Sequence, residues 1–233
     1  MRTGERRTRV NQNFAVAVDG PAGSGKSTAA KEVARRLGIL YIDTGAMYRT
    51  LGYACIQQGV NPACEAEVAS VLEKMDMQIC PQAGGQRMLL DGEDITAAIR
   101  TEEIGKAASV VGAYRKVREK MVEIQQALAK ENSVIMDGRD IGTKVLPEAQ
   151  VKIYLDASME ERTKRRVGEL QKQGKHPDEA LVRKEMEERD YQDTHRKYSP
   201  LRKAEDAVMI DTTGMDIAAV TEAMLSVIAK QIK

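Results

Sequence analysis

The sequence has almost no net charge: 36 lysines and arginines stand against 35 aspartates and glutamates in 233 residues. No global field would draw such a chain onto nucleic acid or an anionic membrane, so neither partner is expected and basic groups should act locally. Cysteine is scarce. Cys55, Cys64 and Cys80 form neither an even set nor a C-x-x-C pair, which argues against a disulfide framework or a zinc site and reads as buried thiols in a reducing cytosol. The two histidines, His176 and His195, make no metal cluster and read as surface residues. No apolar run approaches the roughly 20 residues of a spanning helix, and Met1–Arg9 lacks the apolar segment of a signal peptide. Residues 1–12 read as a disordered Arg-rich leader; Glu5 and its shortness argue against a transit peptide. There is no internal repeat or low-complexity tract. The expectation is a cytoplasmic monomer with one core and small insertions.

What is present begins with Gly20-Pro21-Ala22-Gly23-Ser24-Gly25-Lys26-Ser27-Thr28, which satisfies the phosphate-loop pattern G-x-x-x-x-G-K-[ST]. It follows the apolar run Phe14–Val18 and precedes Ala29–Leu37, a good helix closed by Gly38, so the strand-before, helix-after context is also met. Glycines let the backbone turn its N–H groups around a polyphosphate, and the helix adds its positive end. Lys26 would reach the β- and γ-phosphates, Ser27 would offer its hydroxyl to Mg²⁺, and Thr28 would lie near the α-phosphate. These nine residues are the expected ATP-binding set.

Four further apolar runs follow: Ile39–Ile42, Ser133–Met136, Val151–Leu155 and Val208–Ile210. Alternating with helices, they predict an α/β fold, a five-stranded parallel sheet covered on both faces. Ser158-Met-Glu-Glu161 reads as a capping box, Thr101 as an N-cap, and Met215–Ile232 as an amphipathic closing helix. Residues 62–100 change texture to one helix, Glu65–Met75, and a hairpin turning at Ala83-Gly84-Gly85. The expected division is core at 13–43, 106–162 and 181–233, an acceptor region at 44–105 that includes the insert, and a mobile lid at 163–180.

In open parallel sheets ligands sit at the carboxyl ends of the strands. Asp19, Asp43, Asp137 and Asp156 each follow such a run. Asp137 stands where phosphate-loop enzymes place a carboxylate near the Mg²⁺ shell, although an aspartate after a strand is also an ordinary turn residue. Arg189, Asp193 and Arg196 fall at i, i+4 and i+7 on one helix face; standing alone they would read as a solvated ion-pair stripe. Arg165 and Arg166 lie beside the Gly-containing stretch 171–178 and could close over phosphates. If the acceptor is a phosphate, its oxygen is already an anionic nucleophile and arginine forks are more useful than a general base.

Taken in order, Gly20–Thr28, Asp43-Thr-Gly-Ala-Met-Tyr-Arg49, Asp91-Gly-Glu-Asp-Ile-Thr96, Asp137-Gly-Arg-Asp-Ile-Gly-Thr143, Val151–Ala157 and Glu187-Glu-Arg-Asp190 resemble the signatures of the bacterial cytidylate kinases, P-loop kinases of the nucleoside monophosphate kinase group. The resemblance spans roughly residues 13–230, and the insert at 62–100 resembles the additional piece those enzymes carry on their monophosphate-binding domain. It implies the three-layer P-loop NTPase fold, ATP and Mg²⁺, and phosphorylation of CMP and dCMP in pyrimidine metabolism. It further implies that Ser109, Arg118 and Asp140 contact cytosine, and that Arg49, Arg139 and Arg196 hold the monophosphate. Arg189 and Asp193 would meet the ribose, Tyr48 and Thr44 would belong to the same CMP site, and Arg165 would sit in the lid over ATP. Lys26, Arg139, Arg165 and Arg196 are then the catalytic cations. UMP or AMP as acceptor is the nearest rival. A P-loop GTPase switch would need an N-K-x-D motif and a motor a basic track, and the sequence has neither.

Overall fold

A computed structural model describes residues 13–82 and 85–232; the expected leader lies outside them, as do residues 83 and 84 of the hairpin turn. The chain opens with β1 (Ala15–Asp19), α1 (Lys26–Leu37), β2 (Leu40–Asp43) and α2 (Thr44–Gln57). The insert supplies α3 (Glu65–Lys74) and the antiparallel strands β3 (Met77–Gln82), β4 (Gly85–Leu90) and β5 (Glu93–Asp94). Then come α4 (Glu102–Val111), α5 (Arg115–Glu131), β6 (Val134–Gly138), a π-helical turn at Ile141–Val145 and β7 (Val151–Asp156). The helical pair α6 (Met159–Lys172) and α7 (Glu179–His195) precedes β8 (Val208–Asp211) and α8 (Ile217–Gln231).

Five strands form one parallel sheet in the order β2-β6-β1-β7-β8. Of its interior strands, β1 and β6 read as unbroken Val, Ile, Ala and Met up to their closing aspartate because both faces are covered, as parallel sheets require, whereas β7 carries Lys152 and Tyr154 among its apolar residues. On one face Val16, Val18, Ile153 and Leu155 pack against Ala29, Val33, Val220 and Met224 of α1 and α8. On the other, Ala17, Ile42, Val134 and Met136 meet Ile141, Val145 and Leu128. Every one of the five strands ends in or beside an aspartate: Asp43 lies level with Asp137, Asp19 with Gly138, and Asp156 with Asp211. The sheet therefore presents an acidic edge, and the chain that leaves it must supply the cations.

A third cluster unites α2, the insert and the start of α5 through Met47, Leu51, Val68, Met88, Ile99, Val111 and Met121. Gly52 lets α2 approach α4 closely, since a Cβ there would lie 3.0 Å from Ala107. The α6–α7 pair is held by a small cluster of Leu170, Val182 and Met186. Pro81 sits in β3, an outer strand of the small sheet, where its missing N–H costs little.

Two local expectations are corrected. Ser158 accepts from the Glu161 N–H, but the capping box stays half-made: the Ser158 N–H donates to Thr213 Oγ1, and Glu161 is drawn instead to Arg165. Cys55 is buried as expected, whereas Cys64 and Cys80 are only half-buried. Both histidines are exposed.

Candidate active site

The phosphate loop takes its shape from sterics. Gly20 is pressed against β7 so closely that a Cβ would lie 2.0 Å from the Leu155 carbonyl oxygen, and Gly25 adopts φ of 85° to open α1. No side chain caps that helix and its first turn carries no acid, so its N–H groups and positive end are left for an anion. Ser24 is fully buried with an unpartnered Oγ, and Lys26 is 6% exposed with Nζ donating to the Pro21 carbonyl at 2.9 Å. Thr28 is exposed at the start of α1.

Burial, followed by repulsion from Arg139, lowers the Lys26 ammonium to a pKa of about 7. A base weakened by folding binds fewer protons folded than unfolded between about pH 7 and its unfolded value, so the ligand-free fold gains stability from this group as pH rises through that window. A bound polyphosphate restores the charged form. Polyphosphate binding at pH 7.5 is therefore expected to be accompanied by net proton uptake at this group, read as buffer-dependent heat in titration calorimetry. Equal heats in buffers of different ionisation enthalpy would refute this.

Asp137, the acid closing the β6 run, gathers three elements. One carboxylate oxygen accepts from Ser27 Oγ and the other from Tyr41 Oη at 2.8 Å, while its carbonyl accepts from Thr44 Oγ1 at 2.8 Å. Burial and then the Asp43 charge raise its carboxyl above the ordinary range. A hydroxyl beside a carboxylate is the hard-oxygen donor set that suits Mg²⁺ bound largely through water and phosphate. Among the described residues no three Asp, Glu, His or Cys side chains cluster as a metal cage, so the nucleotide would have to complete the shell.

Beyond the loop, arginines outnumber the acids they meet. Asp140 accepts from Arg118 Nη2, and Arg118 Nη1 donates to the Gly112 carbonyl at 3.0 Å with its guanidinium over the Tyr48 ring. Arg139 Nε donates to Asp193 at 2.8 Å; Arg196 lies 3.5 Å from Asp193 and 3.8 Å from Asp140. Asp193 would be raised by burial, but Arg139 and Arg189 hold its carboxyl below the usual range. Burial and then Arg139 lower Arg189 to a pKa of about 10. Arg49 reaches back to Asp43 at 2.8 Å. With these partners counted, Arg49 Nε, Arg118 Nε, Arg189 Nε and Arg196 Nη2 are still buried donors without an acceptor. Native proteins leave few such groups, and four arginine donors of this kind suit a polar, anionic ligand.

Two predicted residues, Arg165 and Ser109, stand apart from that cluster, and a third, Arg196, reaches it by another route. Arg165 projects from α6 onto the phosphate loop, donating to the Gly23 carbonyl at 3.4 Å, to Glu161, to Thr212 Oγ1 at 3.0 Å and to the Thr212 carbonyl at 2.6 Å. Ser109 lies half-buried on α4, its hydroxyl turned to the Gly105 carbonyl at 3.3 Å. Arg196 is not on the α7 face at all: the helix ends at His195, and Arg196 Nε donates to the Ser199 carbonyl. It still meets Asp193 because the chain turns there.

Sequence reasoning missed three participants. Arg162, 7% exposed, donates to the Ala22 carbonyl of the loop and to Asp190, bracing α6 and α7 against the loop. Tyr41 shares Asp137 with Ser27. Gln86 of β4 bonds the backbone of Asp43 twice, accepting its N–H at 2.9 Å and donating to its carbonyl at 3.1 Å. None carries a local signal, since each partner is more than 25 residues away in sequence.

A strand, a glycine-built phosphate loop, an uncapped helix start with a buried lysine, and facing arginines with unpartnered donors define a P-loop phosphotransferase whose acceptor is itself an anion. The chain belongs to the cytidylate kinase family, whose model matches residues 16–230. It is 45% identical to the cytidylate kinase of Bacillus subtilis over 95% of this chain and 99% of that protein. It is 47% identical to the cytidylate kinase of a Geobacillus species over 96% of this chain and 100% of that protein. Among solved structures, an uncharacterized protein from Eubacterium ventriosum superposes with a TM-score of 0.53 at 13% identity, over 93% of this chain and 99% of that one, a likeness of fold alone.

Proposed function

We propose that the protein transfers the γ-phosphoryl group of ATP to CMP or dCMP, giving ADP and CDP or dCDP. The observation that carries this reading is the set of four buried arginine donors without acceptors, together with a phosphate loop whose helix start has no side-chain cap and no acid. A monophosphate oxygen needs no base to attack, so the task is to hold two polyanions in line and neutralise charge spreading onto the transferred group. Gly20–Thr28 would wrap the donor phosphates, with Lys26 on the transferring end. Arg49, Arg139 and Arg196 would hold the acceptor phosphate, and Arg189 with Asp193 the ribose. Thr44 and Tyr48 would line that pocket. Ser109, Arg118 and Asp140 would read cytosine, whose N4 donates while N3 and O2 accept. Mg²⁺, when bound, would draw charge from the β- and γ-phosphates; Ser27 is the residue to hold it, with Asp137 through water.

The working parts would be a core around the parallel sheet, an acceptor region at 44–105 and a lid at 163–180; the apolar cluster of the acceptor region also takes in Val111, Val117 and Met121 of α4 and α5, and the cluster beneath the lid is shared with Val182 and Met186 of α7. The lid has few buried apolar residues, and 171–176 are all exposed. It is expected to exchange amide hydrogens quickly when free and to gain protection with a bisubstrate analogue bound, carrying Arg165 with it. Equal protection in both states would remove closure from the mechanism. The activity itself is tested by assaying CMP, dCMP, UMP and AMP with Mg²⁺-ATP in a coupled ADP assay. CMP and dCMP should be turned over in preference to the others; a better rate with UMP or AMP would replace the proposed acceptor.

A further inference from the structure

Asp19 is a buried carboxylate that the reaction as described does not use. It is the last residue of β1, 4% exposed, directly before the first glycine of the phosphate loop. Its Oδ1 accepts from the Ile141 N–H and its Oδ2 from the Gly142 N–H, both at 2.8 Å, across more than 120 residues of sequence. Among the described residues no side chain donates to it, so it is neither an ion-pair partner nor a member of a metal cage.

We propose that Asp19 is a positioning residue that fixes the segment Arg139–Asp140 relative to the phosphate loop. The two amides it holds begin the π-helical turn Ile141–Val145, and the first N–H groups of a helical turn have no partner within it. Asp19 supplies the acceptor from another strand. The clamp starts one residue after Asp140, which reaches Arg118, and two after Arg139, which reaches Asp193. There is little slack: a Cβ at Gly138 would come within 2.6 Å of Ile141 Cδ1, and one at Gly142 within 3.4 Å of Asp19 Oδ2. Single-turn π segments occur often at functional sites. Burial pushes the Asp19 carboxyl up to about 7 while the two N–H bonds oppose it, and both Asp140 and Lys26 bear on it. One buried group thus lies between the donor loop and the acceptor-reading segment.

The inference rests on the proposed transfer to CMP, so the unmodified protein is assayed first; failure to phosphorylate CMP would remove that reading independently. Asp19→Asn keeps the shape but offers one acceptor and sets an NH₂ against the second amide. It is expected to lower kcat/KM for CMP roughly 20-fold, as loss of a charge-assisted bond does, with the change mainly in KM. Affinity for a fluorescent ATP analogue should stay within about twofold, because Gly20 is set by its contact with Leu155. CMP kinetics within about twofold of the unmodified enzyme, or parallel loss of ATP and CMP binding, would overturn the assignment. If the variant does not fold, hydrogen exchange on the unmodified protein decides. Ile141 and Gly142 amides should be protected like those of β1 and β6 without ligand, and fast exchange at both would overturn it.

Discussion

Replacing Lys26 by methionine should lower phosphoryl transfer by about 10³-fold while leaving the fold standing. The lysine belongs to the ligand loop, and its one hydrogen bond in the free protein goes to the Pro21 carbonyl. Its depressed basicity, caused by burial and by Arg139, means that the charged form is disfavoured in the ligand-free fold. Methionine has similar length and no charge to bury, so the variant should melt at or above the temperature of the unmodified protein, without ligand, at pH 7. Activity should be lost for the same reason that stability is spared, if the ammonium is held there for the charge of a bound polyphosphate. Circular dichroism melts and a coupled ADP assay test both halves. Near-normal turnover would sink the phosphate-loop reading, and a collapsed fold would show Lys26 to be structural.

Much of the fold was legible because its cause is local. Each core strand is a short β-branched run ended by an acid, and each observed strand extends to or past that acid because the sheet edge is where the ligand-facing turns begin. Glycines of the phosphate loop announce themselves because only they fit against the Leu155 carbonyl or at positive φ. What was not legible depends on partners distant in sequence. Nothing near Gln86 says that its amide will complete the backbone of Asp43, and nothing near Arg162 says that it will bind the Ala22 carbonyl. The capping box shows the limit within four residues: Glu161 had the right spacing, but Arg165 one turn on offered a stronger, charged partner. Helical spacing likewise put Arg196 on the α7 face, although the helix stops one residue earlier and the turn delivers it to Asp193 anyway.

Asp140 is where specificity for the base should be decided, and the structure sharpens what its replacement would do. One carboxylate oxygen is taken by Arg118; the other accepts no hydrogen bond among the described residues, with Arg196 at 3.8 Å. On the proposed reading, that free oxygen would be the acceptor offered to the N4 amino group of cytosine. UMP places a carbonyl oxygen there instead, setting acceptor against anion in a site where Asp140 is 4% exposed. An unpaired buried charge typically costs about 2 to 4 kcal/mol, so the unmodified enzyme is expected to favour CMP over UMP by roughly two to three decades in kcat/KM. Asp140→Asn can turn its NH₂ toward O4 of uracil and its carbonyl toward Arg118, keeping shape while removing the charge. The ratio should then narrow, chiefly through loss of CMP activity, because a neutral acceptor also loosens Arg118 from its place over Tyr48. Arg118→Lys separates the two effects: it keeps a cation but not the fork, so it should weaken both nucleotides together and leave their ratio largely intact. The measurement is kcat/KM for CMP and UMP in all three proteins. A ratio unchanged in the Asn variant would mean that Asp140 does not read the base, leaving it the role of holding Arg118 against the cytosine pocket.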